Sequence, residues 1–329
     1  MLNVALIGIG NIGLLYDKKK SDRSKALSHV KAIYLHKQFT LKYVVDIKKT
    51  HFYTIKNFFP NAIFNTDYKS LLKKNDIDIL VVATPTFTHY TIINEFEKYN
   101  KNIKVIFSEK PLFETSDEYQ SYKQKNQNKL IVNYLRRFDK NIQNLKKEIR
   151  TTQFGKIQKI VINYCKGLKN NGSHMIDMIN FLFENPKIIS TQILCSTIGF
   201  NCNDLTYDIF IELEYNNATV PVYFLGFDHT LYNMIEHNIY FENKLVKYIN
   251  SKSVIEYYDI VPDKNFHQYK VTSHLPTIKK VITTRLMYNT YDTIYKQINK
   301  KTNHISSYKD EIANYKFLEQ ILKGSSCQN

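Results

Sequence analysis

The sequence predicts an α/β protein in two parts: a parallel sheet with helical crossovers, then an α+β domain on a mostly antiparallel open sheet. Three observations predict it. Apolar runs of strand length, Val4–Ile7, Leu41–Asp46, Ile77–Ala83 and Val105–Phe107, are separated by stretches of helical character. Such runs suit strands buried on both faces of a parallel sheet. From Ile188 to Ile260 apolar and polar residues alternate instead, the pattern of strands with one buried face. The first strand also ends in Gly8-Ile9-Gly10-Asn11-Ile12-Gly13, which holds three of the chain's nine glycines.

Each glycine of that hexapeptide has a physical task. Gly8 permits a tight turn, Gly10 lets backbone N–H groups approach a pyrophosphate, and Gly13 lets the following helix lie close to the strand. A helix N-terminus then offers unpaired N–H groups to phosphate. The expected contacts of a dinucleotide are therefore Gly8, Gly10, Asn11, Ile12 and Gly13.

Bulk properties narrow the classes. A chain of 329 residues, 43% hydrophobic, suits two ordinary domains, expected at 1–135 and 136–329. No apolar run is long enough for a membrane span, and the first strand starts by residue 4, so no signal peptide is expected. Cys165, Cys195, Cys202 and Cys327 form no C-x-x-C pair, so neither a zinc site nor a disulfide framework is expected. A cytoplasmic protein fits. The net charge of +16 admits nucleic acid, but lysines are spread along the chain and Lys18-Lys19-Lys20 sits between Asp17 and Asp22. A biased composition explains the charge better, so no nucleic-acid partner is expected; anionic small substrates stay open.

Taken in order, Gly13 leads into Leu14-Leu15-Tyr16 and a polar stretch, Asp17 to Lys25, that reads as a loop inserted in the first crossover. Helical periodicity resumes at Val30, with Ser28 as N-cap. Asp46, ending the second strand, stands where an acid binds the adenosine ribose hydroxyls, though late in the chain; the inserted loop accounts for the delay. A carboxylate there repels a 2′-phosphate, which favours NAD, while Lys48 and Lys49 keep NADP open. A helix over 50–59, a short strand at Ala62–Phe64 and a helix opened by Asp67 follow. The strand Ile77–Ala83 then ends in Thr84-Pro85-Thr86-Phe87-Thr88-His89. Ligands sit beyond the carboxyl ends of such strands, so Thr84 and Pro85 belong near the cofactor. His89 is either a cofactor contact or a helix-start histidine.

After a helix to Tyr99 comes the strand ending Ser108-Glu109-Lys110-Pro111. Strand, Thr-Pro-x-x-x-His, helix, strand, Glu-Lys-Pro resembles the order in the Gfo/Idh/MocA oxidoreductases (glucose–fructose oxidoreductase, inositol dehydrogenase and their relatives). The resemblance rests on Gly8, Gly10, Gly13, Asp46, Thr84, Pro85, His89, Glu109, Lys110 and Pro111. It implies a Rossmann domain, a nicotinamide cofactor near Glu109 and Lys110, and Lys110 as a catalytic residue at the substrate hydroxyl. An ammonium there can hydrogen-bond the reacting oxygen.

The family's Arg-Phe pair corresponds to Arg137-Phe138, which would end the first domain; Arg137 either contacts substrate or cofactor phosphate or pairs with Asp139. Asn170-Asn171-Gly172-Ser173-His174-Met175-Ile176-Asp177 resembles the family's second signature, Asp-x-Gly-x-His-x-x-Asp, at the start of a helix. Met175, Met178, Ile179 and Leu182 give that helix a buried face. The resemblance implies His174 as proton donor or acceptor, a task that suits imidazole, with Asp177 orienting it or binding substrate. Asn170 stands where the family often has aspartate, and an amide holds a hydroxyl but takes no proton at neutral pH. The implied reaction is hydride transfer between NAD and a hydroxyl-bearing carbon of a sugar, inositol or nucleotide-linked sugar. A non-catalytic regulator of the same fold is the alternative. The sheet after Ile188 would form a homo-oligomer contact, again by resemblance. Two closing helices are expected, Met287 to Lys300 and Tyr308 to Leu322, the latter burying Ile312, Tyr315, Leu318 and Leu322.

Overall fold

The structure is a computed structural model, and it describes residues 1–19, 21–122, 129–231, 233–300 and 305–324. Lys20, Cys327 and the tail beyond Gly324 lie outside the described residues. The chain forms two compact units, residues 1–138 with 284–312 and residues 139–283 with 313–329. The expected division at 135 and 136 did not anticipate that 284–312 returns to the first unit.

The first unit holds β1 (Leu2–Ile7), α1 (His29–Leu35), β2 (Phe39–Val45), α2 (Phe52–Phe58), β3 (Ile63–Asn65), β4 (Ile79–Val82), α3 (His89–Tyr99), β5 (Val105–Ser108), α4 (Ser116–Ser121) and β6 (Leu130–Val132). Its six strands pair in the order β3-β2-β1-β4-β5-β6, all parallel. This is the doubly wound order, whose direction of winding reverses between β1 and β4. Val4, Leu6, Val44, Ile79, Val81 and Phe107 are wholly buried. Each such side chain contributes about 1.5–3 kcal/mol by leaving water. The helix expected from Asp67 is only a 3₁₀ turn, Tyr68–Leu71, with Asp67 accepting from the Lys69 N–H.

The first crossover departs from a simple strand–helix turn. After one turn at residues 11–14 and a 3₁₀ turn at Leu15–Asp17, the chain leaves the helix. It returns at α1, where Ser28 caps the Lys31 N–H as expected. The His29 N–H then donates to Ile12 O at 2.9 Å and the Val30 N–H to Gly13 O at 3.0 Å. A helix bonds back four residues; here the bond spans seventeen, from 29 to 12, so thirteen residues are inserted in a helix whose hydrogen bonding continues across the gap. The segment is tied down. Asp17 Oδ2 accepts from the Leu27 and Ser28 N–H groups, Lys31 Nζ donates to Lys19 O, and Thr284 exchanges hydrogen bonds with Ser24 and Ala26.

The second unit holds α5 (Lys140–Arg150), β7 (Ile157–Cys165), α6 (Ser173–Phe183), β8 (Lys187–Asn201), β9 (Asp204–Tyr215), β10 (Ala218–Phe227), β11 (Glu236–Phe241), β12 (Lys244–Ile249), β13 (Val254–Pro262), β14 (Lys270–Thr272) and β15 (Ile278–Val281). The strands run in the order β14-β13-β12-β11-β7-β10-β9-β8, with β15 also on β13. Every pair is antiparallel except β7 with β10. The alternation was read correctly: Ile209, Ile211, Leu213, Val220, Val222, Phe224 and Ile239 are buried. Met175, Met178, Ile179 and Leu182 are buried on α6.

Of the closing helices, α7 (Leu286–Lys300) packs on α1 in the first unit. The unit division falls inside α8 (Tyr308–Gly324). Its buried residues are Glu311, Asn314, Phe317 and Ile321, one position away from the expected stripe. The shift has a cause: Glu311 and Asn314 are polar, and each buries itself by satisfying other buried polar groups.

Candidate functional site

The glycine turn divides into two tight positions and one open one. Gly8 has φ +94°, and a Cβ there would lie 2.5 Å from Ala83 O at the end of β4. A Cβ on Gly13 would lie 2.4 Å from Gly8 O. These two glycines are required by the protein's own packing. A Cβ on Gly10 would meet nothing within 4 Å, and the residue is exposed. That open cradle fits a ligand brought close to the backbone. Asn11 is exposed and Ile12 half-buried beside it.

Asp46 is held at the same turn. Its Oδ2 accepts from the Ile9 N–H and its Oδ1 from the Lys48 N–H, both at 2.9 Å. An ionised carboxylate has about four acceptor positions, so two remain for a ribose diol. Without the thirteen inserted residues, Asp46 would follow Gly13 by about twenty, the spacing a dinucleotide fold uses. The delayed aspartate and the interrupted helix are one fact.

Thr84 and Pro85 follow β4, on the other side of the point where winding reverses. The Thr84 hydroxyl is 2.6 Å from that of Thr88. His89, expected as a possible cofactor contact, is 1% exposed at the start of α3, with Nε2 2.8 Å from Thr84 O and Nδ1 3.1 Å from Leu112 O. It joins two loops through these carbonyls. Burial pushes its imidazole below the ordinary 6.5, and the two carbonyls only partly offset this. His36 is lowered by burial as well. The unfolded chain therefore binds protons that the folded one refuses, and stability falls as pH drops below about 6.5. A urea midpoint lower at about pH 5.5 than at about pH 7.5, with a smaller difference in His89→Gln, is expected; equal slopes in both proteins would contradict it.

Glu109 and Lys110 follow β5, both half-buried, with a cis bond from Lys110 to Pro111. The turn is held at both ends. The Glu109 N–H donates to Val82 O, and its Oε1 accepts from Asn133 Nδ2 at 2.6 Å and lies 2.9 Å from His29 Nε2. The Leu112 N–H donates to Glu311 Oε1 at 3.0 Å. Glu311 is 2% exposed and also accepts from the Tyr119 and Tyr134 hydroxyls. Sequence reasoning missed His29, Asn133, Glu311 and Tyr291, because apolar periodicity carries no signal for a buried polar group.

In the second unit, Lys166 has φ +66° and opens a π-helical turn, Gly167–Gly172, that delivers Asn170 and His174. Such turns are uncommon and concentrate at functional sites. Asp204, missed in the sequence, organises it: its carboxylate accepts from the Lys169 N–H at 2.7 Å and the Asn170 N–H at 2.9 Å. Thr206 Oγ1 accepts from the Gly167 N–H, and the Ser173 hydroxyl donates to Asn170 O. Asn170 and His174 are both half-buried, and His174 is the second residue of α6.

Two residues expected to contact substrate are buried. Arg137 is 1% exposed and pairs with Asp310 Oδ1 at 2.7 Å, while Asp139 caps α5. Burial works to raise the Asp310 carboxyl, but the Arg137 charge and hydrogen bonds from Ser307 and Arg137 leave it lowered. Asp177 is 1% exposed and accepts from Asn314 Nδ2 at 2.7 Å, and Asn314 accepts from Asn180 in turn. Both are interior anchors. Among the described residues no group of acids, histidines and cysteines could hold a metal ion, and no helix is long and apolar enough to cross a membrane.

A parallel sheet wound in both directions, with an open glycine turn at β1 and an acid after β2, defines a dinucleotide-binding unit. Residues 2–134 match the family model described as the oxidoreductase family, NAD-binding Rossmann fold, of the Gfo/Idh/MocA group. The resemblance drawn from the glycines and Glu109-Lys110-Pro111 is borne out. Solved structures share the fold over nearly the whole chain. They include YvaA of Bacillus subtilis (TM-score 0.74, 17% identity, covering 99% of this chain and 98% of that one). A super-repressor mutant of Gal80p from Saccharomyces cerevisiae is similar (0.73, 17%, 98% and 95%). So is a myo-inositol dehydrogenase of Corynebacterium glutamicum (0.71, 14%, 98% and 96%). No curated protein sequence matches the chain.

Proposed function

We propose that the protein is a nicotinamide-dependent dehydrogenase or reductase acting on a hydroxyl-bearing carbon of a sugar, inositol or nucleotide-linked sugar. The observation that carries the reading is the pairing, in one sheet, of an open Gly10 turn with a rigidly held Glu109–Lys110 turn. NAD is the favoured cofactor, because Asp46 keeps acceptor capacity for a ribose diol and its charge opposes a 2′-phosphate. When bound, the nicotinamide supplies the hydride chemistry. The protein's own work is alignment and one proton. In the first unit Lys110 is assigned the substrate oxygen; in the second, by the family resemblance alone, His174 is assigned the proton in the oxidation direction and the Asn170 amide a hydroxyl. A cytoplasmic setting accords with the unbridged Cys165, Cys195 and Cys202. Self-association through the second unit's sheet is part of the proposal, supported by exposed Ile189, Leu194, Ile198 and Phe200 on β8.

The test begins with the cofactor. Gly10→Ala is expected to leave the melting temperature unchanged, since a Cβ there meets nothing, and to weaken NADH binding about tenfold or more. Unchanged binding would remove the cradle from the reading. Wild type is then mixed with NADH and a panel of keto-sugars; oxidation of NADH by at least one supports the enzyme. Tight NADH binding with no turnover favours a regulatory protein of the same fold. The similarity to Gal80p and the amide at Asn170 speak for that second reading.

A further inference from the structure

We infer that His29 is a positioning residue for Lys110, acting through Glu109, with Tyr291 fixing the tautomer in which it does so. His29 is wholly buried at the start of α1. Its backbone N–H donates to Ile12 O in the glycine turn, while its ring reaches the lysine turn, so one residue joins the two parts of the proposed cofactor site.

The order of protons follows from the neighbours. Nδ1 lies 2.9 Å from the Tyr291 hydroxyl, and Nε2 lies 2.9 Å from Glu109 Oε1. Tyr291 is wholly buried on α7, and its ring meets those of His29 and Phe107 edge-on. Burial, and then the Glu109 charge, drive its ionisation well above the ordinary range, so its oxygen keeps its proton. Glu109 Oε1 accepts, which places the ring proton on Nε2, and in that tautomer Nδ1 accepts from the Tyr291 hydroxyl. Asn133 Nδ2 donates to the same carboxylate oxygen, and the Glu109 N–H is fixed on Val82 O. Glu109 is therefore held by backbone and side chain together. The next peptide is planar, so the direction in which the chain enters Lys110 is set. On the far side Leu112 is held by Glu311 and His89. Lys110 and Pro111 stand between two fixed residues.

Stability alone does not account for the arrangement. A buried ionic or polar pair is often replaced by apolar residues at no cost, because desolvation offsets its attraction. What an apolar replacement could not do is aim the Glu109 side chain and the turn beyond it.

The inference rests on the assignment of Lys110 to the proposed reaction, yet its coupling is measurable without turnover. Tyr291→Phe, His29→Gln and His29→Ala are made in the full chain and checked for folding by thermal melts. Imidazole ¹⁵N shifts report the His29 tautomer, trace acetylation with mass spectrometry reports Lys110 reactivity against surface Lys98 and Lys159, and fluorescence titration reports NADH binding. The expected results are the Nε2–H tautomer in wild type and its loss in Tyr291→Phe. The Lys110 acetylation rate changes about threefold or more in that variant, with Lys98 and Lys159 unmoved. His29→Gln, whose amide still donates to Glu109, lies closer to wild type than His29→Ala. An Nδ1–H tautomer in wild type, or unchanged Lys110 reactivity in folded Tyr291→Phe and His29→Gln, overturns the inference. If His29→Ala does not fold, the two milder variants decide. Failure of wild type to bind NADH would sink the dinucleotide reading instead, and the tautomer and acetylation results would still stand by themselves.

Discussion

Lys110→Ala is expected to lower kcat by about 10²–10⁴-fold, the range over which positioned proton donors and acceptors act. NADH affinity should change little, because the glycine turn and Asp46, which would hold the phosphates and ribose, are untouched. Folding should also survive. The turn is secured by Glu109 and Leu112 on either side, and the half-buried lysine adds no core volume. Arginine is not expected to rescue: its planar fork spreads the charge and donates from fixed directions, whereas ammonium is a compact, rotatable donor. Single-turnover kinetics with saturating NADH would read the effect. Activity within about tenfold of wild type would remove Lys110 from the chemistry.

Glu311→Ala should give the largest loss of stability among the residues around that turn, about 3–6 kcal/mol in urea unfolding. Its carboxylate is 2% exposed and accepts from the Leu112 N–H and the Tyr119 and Tyr134 hydroxyls. Each donor left without an acceptor in the interior costs about 1–3 kcal/mol. Glu311→Gln keeps the shape and one carbonyl oxygen, and a tyrosine hydroxyl can turn to accept from the amide, so its cost should be about half as large. The variants also separate stability from alignment. A folded Glu311→Gln with reduced turnover and unchanged NADH binding would mean that the Leu112 anchor guides Lys110. A Glu311→Ala protein within about 1 kcal/mol of wild type would contradict the loss expected from three orphaned donors.

The parts of this molecule that could be read in the chain are those governed by local rules. Gly8, Gly10 and Gly13 follow from what a Cβ would hit or leave open, Ser28 from capping, and the alternation through Ile209, Ile211 and Leu213 from the two-residue repeat of a strand. Asp46 was legible as well, its late position pointing to an insertion that the His29–Ile12 hydrogen bond then measured. What stayed hidden was every polar residue whose partner lies far away. Glu311 reaches Leu112 across 199 positions, Asn314 reaches Asp177 across 137, and Tyr291 reaches His29 across 262. Hydrophobic periodicity moved the face of α8 by one residue for the same reason: it counts greasy side chains and is blind to a carboxylate buried because three donors await it. Arg137 and Asp177 carry a long-range partner that the chain did not announce either. Their positions beside family motifs suggested contact with substrate, and both turned inward to anchor the interior.

The interrupted first helix also bears on how the chain finds its fold. A helix is ordinarily the most local structure a protein has, nucleating within one turn and growing residue by residue. Here its second half can join the first only after a seventeen-residue ring has closed. Closing seventeen residues instead of four is about two doublings of loop length, near 1.2 kcal/mol of additional chain entropy. Contacts of greater sequence separation form later and more slowly. The glycine turn thereby lacks the purely local support that an uninterrupted helix would give it, and its native support includes His29 from α1 and Tyr291 from α7.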